Sequence, residues 1–308
     1  MTRGLTKVAM AVVCALGALI GVAVILRPDG QAGPCVVTQR AQLSEIPEAS
    51  GLAVSRRHPR LLWSHNDSGN APDLFAIDSA GVLRGRVEVP VRTRDWEDIS
   101  AARCPSGDCL FLGDIGDNDS ERRRIQIIRV PEPAAGDEET GPVDVFRASY
   151  ADGPHNAEAM FVVGADVFVI TRDGTGGIYR AALPDGPGRD LTLQRIGQVG
   201  LAAVTDAEAS PDEQSIVVRT SHEAIIYRTA DLIRGGAVPY GLRIPLNGLR
   251  EPQGEGVALD ANGMLYLASE GSPWNRAGRL VTLRCLVRPT PRLSAIPTLR
   301  YEHRIMLQ

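Results

Sequence analysis

The sequence predicts an all-β domain, a five-bladed β-propeller closed by its own N-terminal strand and preceded by one transmembrane helix. Three observations predict it. First, a short segment recurs in which a carboxylate or hydroxyl precedes small and apolar residues: Ser50-Gly51-Leu52-Ala53-Val54, Asp98-Ile99-Ser100-Ala101, Glu158-Ala159-Met160-Phe161-Val162, Glu208-Ala209-Ser210 and Glu255-Gly256-Val257-Ala258-Leu259. The intervals of 48, 60, 50 and 47 residues are those of a four-stranded blade and exceed a leucine-rich or ankyrin unit. Second, each recurrence is followed by further short apolar strands in a constant order. Third, the 19 residues Val8–Leu26 are uncharged and long enough to span a bilayer.

The elements follow in order. Arg3 and Lys7 precede the apolar segment, which predicts a cytoplasmic leading end and an exported domain. Gly30-Gln31-Ala32 offers an alternative cleavage site, which would make the domain secreted. Second strands are predicted at Leu61–Trp63, Leu110–Leu112, Val167–Ile170, Ser215–Val218 and Met264–Leu267. Third strands are predicted at Leu74–Ile77, Ile125–Ile128, Gly177–Arg180, Ala224–Tyr227 and Arg279–Leu283. Branched and aromatic residues bounded by Gly, Pro, Asp and Asn carry both sets. Weaker fourth strands fall at Val82–Val89, Val145–Tyr150, Leu191–Val199 and Leu242–Leu246, as outer, solvated strands should. The fifth repeat has no fourth strand of its own, and Cys35–Leu43 belongs to no repeat. Placing that leading segment outermost in the last blade solves both problems; six blades are the alternative. Pro131–Val143 and Leu183–Asp190 read as exposed, mobile loops. The expected organisation is residues 1–30 as stub and anchor, 31–288 as propeller and 289–308 as tail.

Beyond residue 30 the chain carries 30 basic and 36 acidic residues, a net charge of −6 with no basic run, which argues against a nucleic-acid partner. Cys14 lies in the apolar segment. Cys104 and Cys109 flank the turn Pro105-Ser106-Gly107-Asp108, and Cys35 and Cys285 stand at the ends of the domain. The two plausible pairs are a hairpin disulfide Cys104–Cys109 and a Cys35–Cys285 bond that would lock the ring; four cysteines allow three pairings, among which only geometry selects, and free thiols are the alternative.

First strands of a propeller line its channel, so the repeat predicts that Asp98, Glu158, Glu208 and Glu255 converge, with Glu97 and Glu48 as stand-ins if the register shifts. Such carboxylates need a cation or hydrogen-bond donors to offset their repulsion. Oxygen ligands favour Ca²⁺ or Mg²⁺. The alternative is that the carboxylates accept backbone N–H groups of the next blade. Just past the second strands come His65-Asn66-Asp67, Asp114, Arg172-Asp173, Arg219 and Glu270. Glu270 joins the metal set; Arg172 and Arg219 could hold an anionic group, with His65 and Asp67 beside them, or could pair with ring carboxylates. Asp114–Glu121 alternates acids but lacks the EF-hand glycine and distal glutamate, and reads as a solvated loop. No Gly-x-Ser-x-Gly or His-Glu-x-x-His segment supports nucleophilic or zinc catalysis, and His155 is the one candidate base.

Glu48-Ala-Ser-Gly-Leu-Ala-Val54, Asp95-Trp-Glu-Asp-Ile99, the Glu158 and Glu208 blade starts, Pro252–Asp260 and Met264–Glu270 together resemble the SdiA-regulated family of bacterial membrane-anchored β-propellers, and distantly the phytase-like, calcium-dependent hydrolytic propellers. The resemblance implies a five-bladed propeller outside the membrane, an N-terminal anchor and a calcium site associated with the channel. The functional expectation is a calcium-binding, extracytoplasmic module that recognises an anionic small molecule or an envelope protein. A calcium-dependent phosphoester or ester hydrolase is the alternative, and a structural scaffold the third reading.

Overall fold

The computed structural model describes residues 31–286 apart from 59, 237 and 238. The anchor segment Val8–Leu26 and the tail from 289 lie outside the described residues. Among those described, no helix is long and apolar enough to cross a membrane.

The chain opens with β1 (Gln31–Ala32) and β2 (Cys35–Leu43). Five antiparallel units follow. The first is β3 (Ala49–Val54), β4 (Leu61–Asn66), β5 (Asp73–Asp78) and β6 (Leu83–Glu88); the second is β7 (Asp98–Cys104), β8 (Gly107–Asp114), β9 (Ile125–Pro131) and β10 (Asp144–Tyr150). The third is β11 (Ala157–Val163), β12 (Asp166–Thr171), β13 (Gly177–Ala182) and β14 (Leu191–Gln198); the fourth is β15 (Val204–Ala209), β16 (Ser215–Thr220), β17 (Glu223–Arg228) and β18 (Leu242–Pro245). The fifth has three consecutive strands, β19 (Gln253–Leu259), β20 (Met264–Glu270) and β21 (Gly278–Cys285), and takes β2 as its fourth strand, with the two-residue β1 paired along the outer edge of β2. A parallel contact of Ala148–Tyr150 with Leu191–Leu193 joins the second and third units at their rims.

The first strands meet in cyclic order, β3 on β7, β7 on β11, β11 on β15, β15 on β19 and β19 back on β3. The arrangement is propeller-like, with every apolar layer lying between successive units. Trp63, Leu74 and Val87 of the first pack on Trp96, Ile99 and Leu112 at the second, and the ring closes where Leu52 and Phe75 meet Tyr266 and Leu280. This sandwiching explains the sequence pattern. Every residue of β3 and β15 is buried, because both faces are covered. In the outermost strand β6 only Val87 is buried. The fourth repeat begins earlier than its Glu208 suggests, since β15 starts at Val204.

Cys35 lies opposite Cys285 in the β2–β21 pairing and is bonded to it. The second disulfide joins Cys104 to Cys109 across the β7–β8 hairpin. The two differ greatly in the chain they constrain, with sequence separations of 250 and 5. Loop-closure entropy assigns about 5 kcal/mol to the first and about 2 kcal/mol to the second.

The loop beginning at Pro131 is not simply exposed. Glu132 is buried against the first unit, where its carboxylate accepts from Trp63 Nε1 at 3.0 Å, from the Ser55 hydroxyl, and from the Arg56 and Arg57 amides at 3.2 and 3.3 Å. Replacing Glu132 by Ala strands these donors. The expected cost is about 2–3 kcal/mol, read as a fall in the urea midpoint. Leu183–Asp190 is largely exposed, as its composition suggests.

Candidate functional site: the acidic mouth of the channel

The carboxylates predicted to form one ring fall into two tiers. The deeper tier is Asp98, Asp206 and Glu208, all buried. Asp98 accepts the Met160 amide, Asp206 accepts the Val257 amide, and Glu208 Oε1 accepts the Ala101 amide at 2.9 Å. Each therefore ties its own inner strand to that of another unit. Asp98 and Asp206 also raise each other's burden of buried negative charge, and Asp206 Oδ1 has no hydrogen-bond partner among the described residues. Burial pushes Asp206 up to about 7 and raises Asp98 and Glu208 strongly. Asp98 thus follows the hydrogen-bond alternative, with both oxygens turned to backbone donors, whereas Glu208 spends only Oε1 in this way and its buried Oε2 has no partner among the described residues. Asp206 was missed by the repeat, because a register shift between Val204 and Asp206 displaces it from the aligned position.

The upper tier lies where the second strands end. Asp67 leaves β4, Asp95 and Glu97 lie just before β7, and their carboxylate oxygens fall within 4.8 Å of one another. Backbone bonds fix the three. The Asp67 amide donates to Glu48 O at 2.8 Å, the Glu97 amide to Gly113 O at 2.8 Å, and the Asp95 amide to Asp114 Oδ1 at 2.8 Å. Trp96, between the two acids, anchors the segment by donating from Nε1 to Asn66 O at 2.9 Å. Glycine is required beside them, since a Cβ at Gly116 would lie 2.2 Å from Glu97 Oε1 and 2.4 Å from Asp95 Oδ2.

Glu97 is the unusual member. The residue is buried, with 9% of its surface exposed, and among the described residues no donor bonds to its carboxylate. Burial, reinforced by Asp67, Asp95 and Glu255, pushes it up to about 9. Glu270, on β20, is raised to about 7 by burial and by Glu255, Asp67 and Glu48. Asp67 and Glu255 are raised chiefly by burial.

The remaining candidates separate. Glu158 pairs with Arg172, which stays part-exposed at the mouth and offsets some of its negative charge. Arg219 cannot hold a ligand. It is fully buried, bonded to Glu251 at 2.7 Å and to the Gly256 and Ala268 carbonyls at 2.6 and 2.9 Å. His65 is equally enclosed, its Nδ1–H donating to Asn66 O at 2.9 Å and its ring against Trp96. Burial lowers it to about 4, so it is neutral near pH 7. His155 Nε2 is held by Asp152 at 3.1 Å and the Tyr179 hydroxyl at 2.8 Å. The Asp114–Glu121 segment is not a solvated loop throughout, because Asp114 and Asp117 are buried and bonded to Arg122, through its guanidinium and its amide respectively.

Propellers stand among the structural neighbours. The chain is similar to PQQ-bound aldose sugar dehydrogenase from Streptomyces coelicolor at 11% identity and a TM-score of 0.46, over 82% of this chain and 99% of that one. It is similar to the β-propeller domain of Cps50 (Swd1) from Myceliophteria thermophila at 11% identity and 0.45, over 82% and 99%. A luciferin-regenerating enzyme follows at 11% and 0.42, over 79% and 92%. No residue role passes from these proteins to this one. No family model matches the chain, and no curated protein matches it.

The raised carboxylates make stability depend on pH. Each holds a proton in the folded state that the unfolded chain releases above about pH 4. Their stabilisation is complete below that pH and is lost as pH rises through the folded values, about 7 for Asp206 and Glu270 and about 9 for Glu97. The melting temperature in chelator should therefore fall between about pH 4 and pH 9, and Asp206→Asn should flatten the lower part of the curve. A melting temperature rising across this range would contradict the assignment.

Proposed function

We propose that this protein is an extracytoplasmic five-bladed propeller that binds Ca²⁺ at the mouth of its channel and there recognises an anionic ligand or envelope partner. The observation that carries the reading is Glu97, a buried residue whose carboxylate has no donor among the described residues and brings one oxygen within 4.8 Å of one from each of Asp67 and Asp95. A bound divalent ion supplies the positive charge that these three acids lack. The donors suit it, being hard oxygens around a space kept open by Gly116. Glu97 would be the inner ligand, with Asp67 and Asp95 at the solvent side and Glu255 and Glu270 adding negative potential. Arg172 stands ready for an anionic group once its hold on Glu158 relaxes. The cyclic strand contacts support five blades, and Val8–Leu26 together with the SdiA-regulated resemblance supports a membrane anchor.

Trp96 provides the test, because an adjacent indole sensitises Tb³⁺ luminescence. Excitation of tryptophan should give Tb³⁺ emission that Ca²⁺ displaces and that Glu97→Gln or Gly116→Val abolishes without loss of folding. Emission unaffected by both substitutions would refute the site. A second reading, a calcium-dependent hydrolase, is favoured by the part-exposed positions of Asp67, Asp95 and Arg172, which solvent reaches. Calcium-dependent turnover of a chromogenic phosphoester, lost in Arg172→Ala with metal binding intact, would support it. Absence of turnover would leave the binding module.

A further inference from the structure

The β7–β8 hairpin carries a chemistry separate from the mouth. Its turn residues Pro105, Ser106 and Gly107 are exposed, and Cys104 is part-exposed while Cys109 is buried. The disulfide between them thus offers one sulfur to solvent and shields the other. The Ser106 hydroxyl lies 3.0 Å from Cys104 Sγ and 3.6 Å from Cys109 Sγ, close enough to donate to whichever sulfur leaves as a thiolate. Pro105, Ser106 and Cys109 also form one wall of a groove of about 210 Å³, completed by Arg129, Pro131 and Pro142. Strand pairing braces the hairpin independently of the bond, with β7 and β8 in register from Asp98 opposite Gly113 to Cys104 opposite Gly107.

We propose that Cys104–Cys109 is an exchangeable disulfide, attacked at Cys104 by an external thiol, and hence a site of reversible S-thiolation and reduction that reshapes the adjoining groove. In the first step an external thiolate bonds to Cys104 Sγ, the intramolecular S–S bond breaks, and Cys109 leaves as a thiolate that takes a proton from solvent. A second external thiolate then attacks the outer sulfur of the mixed disulfide. This releases Cys104 as a thiolate and carries off two electrons' worth of oxidation as an external disulfide. The Cys35–Cys285 bond has no such role, because both its sulfurs belong to buried residues in the closing sheet.

The full chain, incubated in graded reduced and oxidised glutathione and then alkylated, reports both bonds by peptide mass. Cys104 and Cys109 should label together while Cys35 and Cys285 stay protected and the protein remains folded. Cys109→Ser should accumulate a glutathione adduct at Cys104 at least tenfold faster than Cys104→Ser accumulates one at Cys109. Ser106→Ala should slow reduction severalfold, with the pH–rate profile shifted upward. Labelling of all four disulfide cysteines only on unfolding, or equal adduct rates in the two serine variants, would overturn the proposal.

Discussion

Replacing Cys35 and Cys285 together by serine is expected to lower the melting temperature by about 10 °C or more, whereas the Cys104→Ser/Cys109→Ser pair should lower it by only a few degrees. The argument rests on what each bond closes. The first ties β2 to β21 and so ties the start of the domain to its end, across a separation of 250 residues. Without it, the unfolded chain regains the entropy of an open loop, about 5 kcal/mol, and the exchanged strand is held by its pairing with β21, the packing of Val37, Ala41 and Leu43, and the bonds of Thr38 and Arg40. At 2–4 °C per kcal/mol for a domain of this size, that loss gives the stated shift. The hairpin bond closes so short a loop that its removal frees little. Thermal melts of both double variants under identical conditions decide the matter. Equal shifts would mean that the exchanged strand does not close the ring.

Substituting Arg219 by Met is expected to cost about 3–5 kcal/mol, the range for breaking a buried ion pair from one side. Neither Arg219 nor Glu251 is appreciably exposed, at 0% and 4% of their side-chain surface, so the remaining carboxylate would sit in the interior without a countercharge. The same guanidinium bonds two carbonyls of the fifth unit, Gly256 and Ala268, which couples β16 to β19 and β20. Gly254→Ala offers an independent check. A Cβ there would lie 2.0 Å from Arg219 Nη2 and displace it, giving a similar loss without removing any charge. Urea titration of both variants measures the cost. A change below about 1 kcal/mol in Arg219→Met would show that the pair is solvated after all.

The blade grammar was legible because an inner strand covered on both faces must be written in small and apolar residues, and all five carry that signature. The exchanged strand was legible by subtraction, since Cys35–Leu43 had no unit and the last unit lacked a strand. What escaped has local causes. Interval counting cannot register a bulge, so Thr205 hid Asp206 and drew attention to Glu208. The mouth cluster is assembled from different loops, with Asp67 after β4, Asp95 and Glu97 before β7 and Gly116 after β8. Glu97 stood in the sequence reading only as a substitute, and Asp95 only within the Asp95–Ile99 motif. Glu132 was hidden by its own surroundings, because a Pro- and Glu-rich stretch reads as solvated unless the donors of Ser55 and Trp63 are known to face it. Arg219 and Glu251 are far apart in blade order of reading, and no spacing rule links them.

Calorimetric titration of Ca²⁺ into the metal-stripped protein, beside Glu97→Gln and Glu208→Gln, tests the central claim most directly. Saturable binding that is lost in Glu97→Gln and retained in Glu208→Gln is the result predicted, with affinity falling as pH drops below about 9 and protons compete for Glu97. Binding that survives Glu97→Gln but disappears in Glu208→Gln, with the variant still folded, would move the ion to the buried tier and contradict the account. So would the absence of any binding at neutral or alkaline pH.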